Sequence, residues 1–133
     1  MRDFIVRFLV AGSIMAVIDA LWLTIVANKF YKDQIGGLLL EKPNLAAAVV
    51  FYLVYVTGIV AFVLAPALDK HSWQHALMYG ALLGLFAYAT YDLTNLATLK
   101  GFTLTVVIVD LVWGTVLTGG VSLISYHIVS RWL

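Results

Sequence analysis

Four long apolar runs, each closed by a short polar cluster, make up nearly the whole of this chain. An apolar stretch of about 20 residues is enough to cross a bilayer as a helix. The runs predict membrane-spanning helices over about 4–26, 45–67, 73–99 and 104–129.

The interruptions carry the boundary signals. Between the first two runs, Asn28 to Asn44 holds Lys29, Lys32, Asp33, Glu41 and Lys42 around the apolar patch Ile35–Leu40, which predicts an interfacial turn or a short helix lying against headgroups. Asn44, after Pro43, is the N-cap expected for helix two. Pro66 stands where that helix is expected to stop. Ser72 is a candidate N-cap for helix three. Lys100-Gly101-Phe102-Thr103 reads as a tight turn, with Gly101 suited to a left-handed C-cap and Thr103 to the next N-cap. Gly80 and Gly84 have the spacing that lets transmembrane backbones approach closely. The fold class that follows is all-α: an integral membrane antiparallel four-helix bundle, a single transmembrane domain over residues 1–133, with both termini on one side. A cleaved signal peptide would end in small residues, but the first run carries Asp19 and Trp22 there, so it reads as a retained helix.

Composition agrees. Hydrophobic residues are 63% of the chain and charged residues 11%, whereas soluble domains carry about 25% charge. With no cysteine, disulfides, thiolate metal sites, iron–sulfur clusters and cysteine nucleophiles are excluded. Net charge is +1 without a basic cluster, which removes nucleic acid as a partner. The positive-inside rule is balanced: Arg2, Arg7, Lys70 and Arg131 on the terminal side face Lys29, Lys32, Lys42 and Lys100 on the other. The arginines flanking the first helix favour cytoplasmic termini.

Against this background, three intramembrane acids stand out. At about 1.5 Å per residue across a core of roughly 30 Å, Asp19 lies about two-thirds of the way across, and Asp110, on the returning fourth helix, about 10 Å below the far side. Those depths coincide. Asp92 and Asn95 lie near the far end of helix three, and Tyr52 and Tyr55 fall in the same half of helix two. The other leaflet reads as nearly all aliphatic. An Asp at a helix centre costs on the order of 2.5–3.5 kcal/mol to insert, so these residues are expected to face the bundle interior. No Lys or Arg shares their depth; their partners are Asn95, Thr94, tyrosines, water, a proton or an external cation. Carboxyl groups that approach one another titrate as a coupled set. Ile18–Thr24 and Val109–Thr115 share Asp, Trp and Thr at identical offsets, which predicts two similar sites facing each other, with Trp22 nearer the surface and Trp113 deeper, bracketing the acids.

The candidate ligand-binding set is therefore Asp19, Trp22, Tyr52, Tyr91, Asp92, Asn95, Asp110 and Trp113. The ordinary alternative is a buried polar network that fixes helix register, with the tryptophans as interface-belt residues. No catalytic residue, cofactor motif or metal site is assigned; His71, His75 and His127 are scattered at the opposite surface. Carboxylates beside Trp and Tyr suit a small cationic or amphipathic ligand, through charge and cation–π attraction. A four-span transporter of this kind is expected to dimerise. A membrane-embedded enzyme acting on a lipid-soluble substrate by carboxylate acid/base chemistry is the second reading, and a structural subunit of a membrane complex the third.

The Asp19-x-x-Trp22 pair, the loop with Tyr31 and Gly36-Gly37, Phe51-Tyr52, the string Tyr91-Asp92-Leu93-Thr94-Asn95-Leu96-Ala97-Thr98 and Asp110-x-x-Trp113-Gly114 together resemble the bacterial membrane-protein family of domain of unknown function 2177, DUF2177. The likeness covers essentially the whole chain. It implies a multi-pass protein of the bacterial inner membrane, in contact with the lipid bilayer, and transfers no catalytic residues.

Overall fold

The computed structural model describes residues 1–133. The chain is helical almost throughout and contains no strand. Four helices are long and apolar enough to cross a membrane: Arg2–Leu38, Leu45–Asp69, Trp73–Thr98 and Leu104–Trp132. They are helices one to four below.

The three expected N-caps form. The side chains of Asn44, Ser72 and Thr103 accept the backbone N–H of Ala47, His75 and Val106 at 3.1, 3.1 and 3.2 Å. Each thus satisfies an otherwise orphaned donor at a helix start. Gly101 adopts the left-handed conformation at φ 80°, so the chain turns sharply between helices three and four. Arg2, Arg7, Leu68, Val129 and Leu133 line one surface cavity, which places both termini and the end of helix two on one side. At the other side, Ile35 packs with Phe102, Val106 and Val107.

Two helices run past their expected ends. Helix one does not stop at Val26: a π-helical turn over Leu23–Ala27, in which the Asn28 N–H reaches back to the Leu23 carbonyl, leads into α-helix over Asn28–Ile35 and a 3₁₀ turn at Gly36–Leu38. Asn28–Ile35 is the short helix expected, and it continues helix one directly. It has an apolar face of its own, and Phe30, Tyr31 and Ile35 bury it against Leu96 and the start of helix four. The Thr103 hydroxyl donates to Gln34 at 3.0 Å and ties the two together. In helix two a π turn over Val60–Leu64 precedes Pro66, and the helix continues to Asp69. The proline falls in the first turn of the resumed α-helix, where its missing N–H costs little.

Helices three and four make the closest pair. A Cβ on Gly84 would strike the Gly114 carbonyl, and one on Gly80 would strike Ser122. The backbones can meet there only because both positions are glycine. The tightest packing elsewhere joins Met15, Val56, Ile59, Leu64, Leu117 and Val121, each 2% exposed or less. Outside it, Ile25, Phe62, Phe86 and Val116 point outward. Helices apolar on every face are those that meet lipid as well as each other.

Candidate functional site

The site is built on one level of the bundle, and the π turn in helix one makes it. Asp19 and Tyr31 are twelve residues apart, which in an unbroken α-helix puts them about 120° apart around the axis. The residue inserted by the π turn removes one step and leaves them about 20° apart. Tyr31 therefore shares the face of Asp19, and its hydroxyl donates to Asp110 Oδ1.

Asp110 is buried, 6% exposed, and Asp92 from helix three is fully buried beside it. The two carboxyl groups lie within interaction range of each other. No N–H or hydroxyl of the protein reaches either carboxyl oxygen of Asp92, and the Asp110 carboxyl stands in hydrogen-bond range to share a proton with it. Tyr88, one turn before Asp92, lays its ring against Gly114, where a Cβ would collide with it. Its hydroxyl shares the electrostatic neighbourhood of Asp19, Asp92, Asp110 and Tyr55. Tyr55 and Thr118 join hydroxyl to hydroxyl at 2.7 Å.

Asp19 is half-buried. The Trp113 side chain, whose polar group is an indole N–H, approaches its carboxyl. Tyr52 lies close enough to feel that carboxyl's charge, and its hydroxyl is buried without a partner. Trp22 and Trp113 do not bracket the acids at different depths. They stack face to face, with ring centroids 4.2 Å apart and planes 9° from parallel. Cross-helix stacking at that distance fixes the register of helices one and four.

The structure thus brings together Asp19, Trp22, Tyr52, Asp92, Asp110 and Trp113. Asn95 stands half-buried about one turn beyond Asp92. Tyr91 turns away: it is 61% exposed and meets Phe102 edge-on at 6.4 Å. One residue is about 100° of helix rotation, so Tyr91 and Asp92 cannot share a face. Tyr31, Tyr55, Tyr88 and Thr118 belong to the cluster and are absent from the sequence-based set. Tyr88 and Thr118 had a signal in their spacing of four and eight residues from Asp92 and Asp110. Tyr31 had none, because only the π turn aims it.

Every lysine is exposed, and Arg2 and Arg7 belong to the terminal surface, so Asp92 has no cationic side chain beside it. The aspartates do not converge into a set of three that could hold a metal ion. What the cluster offers is oxygen acceptors and aromatic faces. On its far side, Tyr31 also lines a groove of about 980 Å³, roofed by Leu38, Leu39, Leu40, Glu41 and Pro43. The expectation of an aliphatic opposite leaflet does not hold inside the bundle, where Thr118, Ser122 and Ser125 are fully buried on helix four.

No curated protein and no solved structure matches the chain. The family model described as "Predicted membrane protein (DUF2177)" matches residues 4–127, which span all three acids and every member of the cluster. This multi-pass membrane protein belongs to the DUF2177 family.

Proposed function

We propose that the protein binds a small cationic ligand at the Asp19–Asp92–Asp110 cluster and moves it across the bacterial inner membrane, the whole chain acting as one transmembrane unit within a homodimer. One observation carries the reading. Asp92 is fully buried, no N–H or hydroxyl of the protein reaches its carboxyl oxygens, and the group in hydrogen-bond range of it is a second carboxyl. A buried acceptor without a donor is costly, and intramembrane acids that persist without a protein partner mark ion and substrate paths. The Trp22–Trp113 stack beside Asp19 supplies an aromatic face, which suits an amine or quaternary ammonium head and extends to amphipathic cations. The same stack supplies the test. Tetramethylammonium, titrated into the purified protein, is expected to change tryptophan fluorescence saturably. Asp92→Asn and Asp110→Asn should each weaken that binding about ten-fold, or about 1.4 kcal/mol. Equal binding by all three proteins, or no saturable response from the wild type, would overturn the proposal.

A further inference from the structure

We infer that the acid cluster exchanges protons with the terminal face of the molecule along a file of buried hydroxyls on helix four, Thr118, Ser122 and Ser125, which makes the proton the coupling ion of the site. This rests on the cluster being the binding site proposed above.

The hydroxyls are unusual for this protein. Thr24, Thr57, Thr90, Thr98 and Thr115 each donate to the carbonyl four residues back on their own helix, which is how a hydroxyl in a bilayer normally satisfies itself. Ser122 and Ser125 do not. Both are fully buried, and the oxygen of each lacks any partner. They lie in the interior of the bundle, Ser122 against Gly80. A polar atom left without a donor or acceptor there implies a guest that supplies one.

The file points toward polar groups at both ends. Above, Tyr88 and the Tyr55–Thr118 pair connect it to Asp19, Asp92 and Asp110, and Tyr31 continues from Asp110 to the 980 Å³ groove of the far side. Below, Val129, four residues past Ser125, lines the cavity of about 500 Å³ that holds Arg2, Asp3 and Arg7 at the terminal surface. Successive steps of three to four residues separate the hydroxyls by about 5–6 Å along the axis, a gap that one bridging water spans with two ordinary hydrogen bonds. In such a file each water or hydroxyl accepts one proton on one side and releases another on the other. A proton entering at the terminal cavity then ends on an Asp92 or Asp110 carboxylate, and every hydroxyl on the way is regenerated. The groups that face those carboxylates are Asp19 from helix one, Tyr31 beyond it, Tyr88 from helix three and, through Asp19 and Tyr88, Tyr52 and Tyr55 from helix two.

Purified full-length protein in liposomes loaded with the pH-sensitive dye pyranine tests this, with valinomycin and a potassium gradient setting an inside-negative potential. Wild-type vesicles are expected to acidify faster than protein-free ones. Ser122→Ala/Ser125→Ala and Asp92→Asn should each slow the influx at least about ten-fold, and Ile124→Ala, on the outer face at 43% exposure, should leave it unchanged. Because the serine changes remove only two oxygens remote from the acids, tetramethylammonium binding by that variant should match wild type. Undiminished influx in Ser122→Ala/Ser125→Ala, or wild-type influx equal to that of empty vesicles, would sink the inference. Serine-dependent influx in a protein that binds no tetramethylammonium would instead refute the cation-binding reading and leave the file standing.

Discussion

A carboxyl group sealed inside a bundle with only another carboxyl group to pair with is a liability to folding, and Asp92 is in that position. The desolvation it suffers is of order 1–3 kcal/mol even for a neutral polar group, and more for a charge. Asp92→Asn keeps the shape and removes the charge. It is expected to raise stability by about 1–3 kcal/mol, seen as a higher thermal unfolding midpoint in detergent, while it weakens binding and slows influx about ten-fold. A lower midpoint would mean that the carboxylate is structural. The three aspartates could be found from sequence because a charge in an apolar run has one physical explanation, an interior position. The tyrosines could not be sorted in the same way. Tyr88 and Tyr91 differ in sequence only by spacing, yet one lies over Gly114 inside and the other is 61% exposed.

At the scale of elements, caps and turns could be read directly, because each depends on a few local groups. Asn44, Ser72, Gly101 and Thr103 all do what their chemistry prescribes. The π turns could not be read, since an inserted residue is tolerated only where packing beyond it compensates for the weaker hydrogen bonding. In helix one that compensation is the contact of Ile35 with Phe102 and Val106, together with the Tyr31–Asp110 hydrogen bond. Deleting Ile25, which is 74% exposed within the turn, should take out the extra residue and leave a straight helix with eleven steps between Asp19 and Tyr31, which keeps them about 20° apart and Tyr31 on Asp110. In the otherwise native chain, Tyr31→Phe is expected to cost about 1–3 kcal/mol. In the deletion background the same change should cost as much. A double-mutant cycle on unfolding midpoints decides it, and a cost that vanishes in the deletion background would show that the turn is not a one-residue insertion that aims Tyr31.

For the whole molecule, four crossings and the shared cavity of Arg2, Leu68 and Leu133 put both termini and the 69–72 turn on one side. The chain has no cysteine, so single introduced thiols report topology without background. In oriented vesicles, His71→Cys and Ser130→Cys should react with a membrane-impermeant maleimide from one side only, and Glu41→Cys and Lys100→Cys from the other only. Labelling of His71→Cys and Lys100→Cys from the same side would break the four-span arrangement.

By itself the sequence determined the four apolar helices, their caps and turns and the family, because these depend on hydropathy, local hydrogen bonding and residue pattern. Tertiary packing alone decided which side chains meet. Rotation about a helix axis is set by partners as much as by spacing, and one inserted residue shifts every later side chain by about 100°. That is why Tyr31 joined Asp110, why Trp22 and Trp113 stacked, why Tyr91 faced out, and why two serines in an apparently aliphatic leaflet came to line the interior.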